Sequence, residues 1–320
     1  MDILSPSIRC KRELNGAYVK MKEKYIIAVM FVVLVMLVGR LCTDHSPNKD
    51  VKAREYINLI TNRKELQVFV TLENEIAYDQ TKSAGMEESK SPDYVNLYPN
   101  LYASPKTEWE EIPKDQKVCF LTFDDGPSKN TLKVLEVLKE QQIKATFFVV
   151  GEEIESEENK EILKEVAKQG HLIALHTYSH DYDKIYSCVD AFLSDYDKVF
   201  NLVEEVTGQR LYMFRFPGGS YNPYVKRIRR EIIDEMKRRG FVYYDWNVSG
   251  NDSVGSPSPY SIKKNINKDL TRYQLPVVLL HDGKPNKLTA QSLSGIIDSI
   301  RKKGYSFGVL DERFPCQFRY

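Results

Sequence analysis

From Lys117 onward the chain alternates between short apolar runs and amphipathic stretches of helical length. The runs are VCFLTF, ATFFVV, HLIAL, LYMFRF, FVYYDW, PVVLL and YSFGVL. Between them lie TLKVLEVLKEQQ, NKEILKEVAKQ, SCVDAFLSDYDKVFNLVEEV, NPYVKRIRREIIDEMKRR, SPYSIKKNINKDL and LTAQSLSGIIDSIRKK. A strand that feeds a helix and then another strand is most simply paired in parallel, with helices covering the sheet. Gly170, Gly208, Gly240 and Gly304 stand where helix ends favour a left-handed residue. Seven strand candidates are one short of the eightfold barrel, so the pattern predicts an α/β fold, a distorted (β/α) barrel with about seven parallel strands.

The polar clusters gather at the C-terminal ends of these strands. Asp124-Asp125 follows the first, and His176-Thr177-Tyr178-Ser179-His180 the third. Arg215 lies in the fourth with Pro217-Gly218-Gly219 after it, Asp245 to Asp252 follows the fifth, and His281-Asp282 the sixth. In an α/β barrel that end is where active sites are built.

Each cluster has its own chemistry. Two adjacent aspartates ending a buried strand are costly unless a cation or a shared proton relieves them; the plainer alternative is a helix cap in an ordinary turn. His176 and His180, at i and i+4, would share one face of a helical turn. With one carboxylate they make a His₂-carboxylate set suited to zinc or another divalent ion, with positions left for water and substrate. Two surface histidines in a turn are the alternative. Arg215, if buried, needs an acidic partner and would orient Asp124; a surface ion pair is the other reading. His281, closing the apolar PVVLL, is placed for a general acid. His171, at a strand start, and His45 read as structural.

The first 110 residues differ in texture. Residues 25–39, YIIAVMFVVLVMLVG, carry no charge and lie between Lys24 and Arg40. Fifteen helical residues reach about 22 Å, and Leu41 and Cys42 extend the span if Arg40 snorkels. A long lead and no small-residue cleavage site in GRLCTDHS favour an anchor over a cleaved signal. Arg9, Lys11, Arg12, Lys20, Lys22 and Lys24 precede it, so the N-terminus is expected in the cytoplasm and the remainder outside the cell. The expected domains are a tail (1–24), a transmembrane signal-anchor (25–42), an extracellular stalk (43–110) and a catalytic domain (111–320). With 46 basic and 45 acidic side chains, the charge balance argues against nucleic acid as a partner. Of five cysteines, Cys119 reads as core and a Cys188–Cys316 bridge is left open.

TFDDGP, HTYSH, RFPGG, DWNVSGND and LLHD resemble the five motifs of the polysaccharide deacetylases, carbohydrate esterase family 4 or the NodB-homology domain, over residues 117 to about 312. The resemblance implies a distorted (β/α) barrel and metal-dependent removal of acetyl from an acetylated sugar. By motif, Asp124 resembles the general base, and Asp125, His176 and His180 the ligands of one divalent ion. Zinc is expected there, with cobalt, manganese or nickel as alternatives. Arg215 resembles the residue that positions the base, and His281 the general acid. Pro217, Gly218, Trp246, Asp252 and Leu279 are expected on the substrate side, Leu279 lining the acetyl pocket.

Two departures stand out. Gly218 occupies a place where the family often has tyrosine, which would widen the groove. Where WxVDxxDW is common, this chain has Trp246-Asn247-Val248-Ser249-Gly250-Asn251-Asp252-Ser253, so Ser249 replaces the first aspartate. Asp252 is then the first candidate to support His281, and Asp245 the second. The expected function is deacetylation of cell-wall glycan, peptidoglycan N-acetylglucosamine first, by an enzyme held at the membrane. An O-acetyl esterase, a deacetylase of chitooligosaccharide or xylan, and a catalytically silent carbohydrate-binding module are the alternatives. A non-haem iron oxygenase would have no need of Asp124 or His281.

Overall fold

The strand that opens the sheet, β1 (Val118–Gly126), shows how both its faces are buried. Cys119, Leu121 and Phe123 point to the large core between sheet and helices, whereas Val118 and Phe120 point into the curl of the sheet. The structure, a computed structural model, describes residues 93–103, 112–312 and 316–317. The anchor segment, the tail before it and nearly all of the expected stalk, with Cys10, Cys42 and His45, lie outside the described residues. No helix among the described residues is long and apolar enough to cross a membrane.

After β1 come α1 (Lys129–Glu140), β2 (Thr146–Val150), α2 (Glu157–Lys168), β3 (Leu172–Thr177) and α3 (Val189–Thr207). Next are β4 (Met213–Phe214), α4 (Arg229–Arg238), β5 (Val242–Tyr243) and β6 (Val248–Ser249). The chain then forms α5 (Pro259–Asp269), β7 (Val277–His281), α6 (Lys287–Lys302) and β8 (Ser306–Gly308). Serines start the helices where the sequence leaves amide hydrogens unpaired. Ser128 and Ser258 each form a reciprocal capping box, and Ser156 accepts from the Asn159 amide.

Every pairing is parallel, in the order β5-β4-β3-β2-β1-β7-β6, with β8 against the start of β1. The outermost strands of that path, β5 and β6, are separated in sequence only by residues 244–247. The steps from Tyr243 to Val248 span at most about 18 Å. Seven strands laid flat would hold their edges about 29 Å apart. The sheet therefore has to curl into a half-barrel. The C-terminal segment lies along the β5 side: the Asp245 amide donates to the Cys316 carbonyl at 2.6 Å, and Gln317 Nε2 to the Tyr243 carbonyl at 3.2 Å.

Inside the curl the positions rise in layers. Val118, Phe120, Phe148, Ala174, Met213, Tyr244 and Val277 form an apolar floor. Continuing at intervals of two along the same strands, the next residues are Thr122 and Asp124, His176, Arg215, then Leu279 and His281. Phe148 is fully buried, and truncating such a ring to alanine costs about 3–5 kcal/mol.

Two sequence expectations need correction. The fourth-motif segment makes a strand of its own, β6, which two residues of regular pairing are too few to signal. Helix α4 begins seven residues after Asn222, because Asn222 donates to the Pro217 and Gly219 carbonyls and accepts from the Val225 amide, building turns instead. The compact unit begins at Tyr94, inside the expected stalk. Buried Arg239 explains this, donating to the carbonyls of Tyr94, Tyr98 and Leu101 at 2.6–2.8 Å. The Cys188–Cys316 pairing, left open by the sequence, is not made, and Cys119 is a buried core thiol as expected.

Candidate active site and metal centre

The end of β1 places its two aspartates in different surroundings. Asp124 points inward and is buried, while Asp125 takes a left-handed backbone, φ 73°, and turns toward the third-strand histidines. Such a backbone is costly for a residue with a side chain, and it is retained where a function requires it. Gly126 follows because a Cβ there would lie 2.5 Å from Asp282 Oδ2.

Asp125 Oδ1 is buried and has no hydrogen-bond partner, yet it lies 3.5 Å from His176 Nε2 and 3.3 Å from His180 Nε2. One donor atom from each residue falls within 4.8 Å of the others. Four-coordinate bonds of about 2.0–2.1 Å would separate neighbouring donors by about 3.4 Å. An unpartnered carboxylate oxygen facing two imidazole nitrogens at that spacing fits a divalent ion.

His176 is prepared for the same task. Burial, with His180 and Arg215 beside it, pushes its pKa well below the usual imidazole value, so the ring is neutral. Its Nδ1 lies 3.0 Å from the Arg215 carbonyl, which can only accept, so Nδ1 carries the hydrogen and Nε2 the lone pair. Tyr196 donates its hydroxyl to the carbonyls of His176 and Arg215, tying the two strand ends together.

The two histidines do not share a helical turn, contrary to the i, i+4 reading. His176 is still in β3; a tight bend follows and His180 adopts φ 52°. Asp195 of α3 holds that bend, accepting from Thr177 Oγ1 (2.5 Å), the Tyr178 amide (2.6 Å), and the Ser179 hydroxyl (2.6 Å) and amide (3.2 Å). A carboxylate stands in for the helix in shaping the loop.

Arg215 is fully buried beneath the site. Its Nη1 donates to Asp124 Oδ1 at 2.7 Å and Thr122 Oγ1 at 2.9 Å, Nε to the Tyr244 carbonyl at 2.9 Å, and Nη2 to the Asp245 carbonyl at 3.2 Å. Its guanidinium carbon sits 3.9 Å from the Phe148 ring centre. Burial raises Asp124 to about 6 even though Arg215 and His281 pull it down.

Asp124 is in direct register with His281 on β7. Asp252 accepts from His281 Nδ1 and from the His281 amide, both at 2.8 Å, and from Thr289 Oγ1 at 2.6 Å. Burial alone would lower His281, but the Asp252 bond and charge, aided by Asp124 and Asp125, lift it to about 9. Asp252, expected on the substrate side as well as behind His281, is buried with both oxygens engaged and takes the second position. Asp245 serves elsewhere, accepting from the Ser220 amide at 2.8 Å and hydroxyl at 2.6 Å to fix the loop after β4.

The other expected residues divide. Leu279 is buried between Val277 and His281 on the inner face of β7. Pro217 is buried and its carbonyl accepts from Tyr186 at 2.8 Å, while Gly218 is exposed with φ 73°. The room at Gly218 is not an open groove: a Cβ there would lie 2.9 Å from the Tyr182 hydroxyl. Trp246 packs on the inner floor with its ring centre 5.7 Å from the Arg215 guanidinium carbon, and lines a flank cavity of about 590 Å³ with Asn247, Asn265 and Tyr273.

Sequence reasoning missed Asp195, Tyr196 and Thr289, and placed Asp282 at a strand end without giving it a role. Asp195 had a signal: it lies in the buried stripe Phe192-Leu193-Tyr196-Val199 of α3, where a carboxylate needs a partner. Asp282 is buried beside Gly126, and burial raises it to about 7.

At the C-terminal mouth of the parallel half-barrel stand Asp125, His176 and His180, with the Asp124–Arg215 and His281–Asp252 pairs beside them, an arrangement suited to hydrolysis. Residues 111–233 match the polysaccharide deacetylase family model. The chain is 30% identical over 204 residues to a peptidoglycan-N-acetylglucosamine deacetylase of Bacillus cereus, covering 63% of this chain and 90% of that one. A second B. cereus protein of that name is 29% identical over 212 residues, covering 64% and 74%. Among solved structures, the catalytic domain of a peptidoglycan N-acetylglucosamine deacetylase from Eubacterium rectale superposes with TM-score 0.61 at 32% identity, covering 67% of this chain and 97% of that one. The chain belongs to the polysaccharide deacetylase family.

Proposed function

We propose that the protein is a metal-dependent deacetylase of cell-wall glycan, acting first on the N-acetylglucosamine of peptidoglycan. The observation that carries this reading is the unpartnered, buried Oδ1 of Asp125 facing His176 and His180, with Asp124–Arg215 and His281–Asp252 on either side. The names of the B. cereus and E. rectale relatives supply the substrate class.

Asp125, His176 and His180 would hold the ion, zinc first, and a divalent ion there polarises an acetamide carbonyl and acidifies water. Asp124 takes the proton of the attacking water, and Arg215 fixes the carboxylate so that its free oxygen faces the substrate. Gly218, exposed on the rim, offers its backbone amide as a donor toward the developing oxyanion. His281, kept protonated by Asp252, gives its proton to the departing amine. Leu279 lines the pocket for the acetyl methyl, and Pro217 shapes its rim. A silent binding module would have no use for both proton-handling pairs.

In the same reading residues 25–42 anchor the protein, 1–24 remain cytoplasmic, and the catalytic unit faces the wall. The test is acetate release by the full chain from peptidoglycan, chitooligosaccharide and acetylated xylan, with and without chelator. Release from the first two that stops with chelator supports the reading. Release from xylan alone would make the protein an O-acetyl esterase, and release untouched by chelator would remove the metal from the account.

A further inference from the structure

The rim of the site carries aromatic rings that the proposed chemistry does not use. Tyr182, two residues beyond His180, packs edge-to-face on the His180 ring with centres 5.4 Å apart. It is held from below by Tyr186, edge-to-face at 5.8 Å, whose buried hydroxyl donates to the Pro217 carbonyl at 2.8 Å. On its outer side stands Tyr224, edge-to-face at 5.3 Å.

The backbone makes room for this arrangement. A side chain at Gly218 would strike the Tyr182 hydroxyl and ring, so the glycine and the tyrosine presuppose each other. The loop that presents Tyr224 is fixed by Asn222, which bonds the Pro217 and Gly219 carbonyls and the Val225 amide. Tyr224 nevertheless keeps 57% of its surface in water, and Tyr221, three residues earlier, keeps 60%. A buttressed ring whose other surface is left wet suits a ligand with one apolar face and polar edges. A pyranose ring is such a ligand: its C–H face lies on the aromatic ring while its hydroxyls stay in water.

We propose that Tyr224, seated on Tyr182, forms a binding subsite for the sugar next to the one that loses its acetyl group. The protein thereby selects a glycan chain over a single sugar. This rests on the deacetylase reading above and adds to it the length of substrate required and the ring that reads it. Continuity decides the occupant, because Tyr224 is joined to a candidate metal ligand through a single intervening ring, so a glycan in the site extends over it.

The test compares acetate release by the full chain from N-acetylglucosamine and N,N′-diacetylchitobiose, in the wild type and in Tyr224→Ala, Tyr224→Phe and Tyr260→Ala. Tyr260 is 72% exposed at the start of α5 and serves as the surface control. The expected result is that Tyr224→Ala lowers the ratio of kcat/KM for diacetylchitobiose over N-acetylglucosamine about tenfold, mostly through the KM of the disaccharide, as loss of one aromatic contact predicts. Tyr224→Phe retains the ratio, and Tyr260→Ala leaves it unchanged. An unchanged ratio in Tyr224→Ala, with the wild type active, overturns the subsite and leaves the deacetylase reading standing. A wild type inactive on every glycan overturns both.

Discussion

Asp124 and His281 are neighbours in register on adjacent strands, yet the fold treats them in opposite ways. Burial penalises the charged form of each, raising the carboxylate and lowering the imidazole. The partners then decide the outcome. Arg215 restrains the rise of Asp124, which ends at about 6, while Asp252 overturns the fall of His281, which ends at about 9. Between those values one group is a free base and the other a loaded acid. A pair of strand ends is thus given opposite protonation states by a buried cation behind one and a buried anion behind the other.

The largest way to break the comparison is to remove a metal donor. His176→Ala should abolish stoichiometric divalent metal in the purified protein, checked by elemental analysis, and turnover with it. Undiminished metal would show that the donors lie elsewhere. Arg215→Met comes next, because it strands Asp124 in the interior without its cation. A loss of about 3–5 kcal/mol in denaturant unfolding is expected. A loss below about 1 kcal/mol would mean that the pair is far more solvated than its burial implies.

The acid side is sharpened by Asp252→Asn. In the proposed mechanism His281 acts as the imidazolium, which is lost as pH rises through its folded pKa of about 9. Removing the anion leaves burial dominant, so the alkaline limb of the kcat/KM profile moves to lower pH. Asp245→Asn, which loosens Ser220 and does not touch His281, leaves that limb in place. If both variants keep the wild-type limb, His281 is not the proton donor. The smallest effect belongs to Thr289→Val, which deletes one bond to Asp252 and should cost about 1 kcal/mol in thermal melts with a slight shift of the same limb.

Much of this was legible because barrel chemistry obeys a period of two. Val118, Phe120, Thr122 and Asp124 are one inward column of β1, and an apolar run ending in a carboxylate announces a polar mouth. The parallel half-barrel followed from the alternation of strands and helices, and the gathering of the carboxylates with His176 and His180 from their strand-end places, while Asp125 was told from Asp124 only by the motif resemblance. What could not be read depends on contacts distant in sequence. The bend that brings His180 to His176 is made by Asp195, and the early start of the folded unit depends on Arg239 reaching back to Tyr94. β6 was hidden because its two residues pair with β7 only once the sheet curls. The room at Gly218 read as a wider groove because nothing local shows that Tyr182 fills it.

The most direct test of the division of labour between the two adjacent carboxylates measures bound metal and acetate release together in Asp124→Asn and Asp125→Asn. The account predicts that Asp124→Asn keeps its metal and loses turnover by about 10²-fold or more, as removal of a general base does. Asp125→Asn loses the metal itself, and excess zinc restores part of its activity. Metal loss in Asp124→Asn with rescue by zinc, and full occupancy in Asp125→Asn, would contradict it and exchange the two roles.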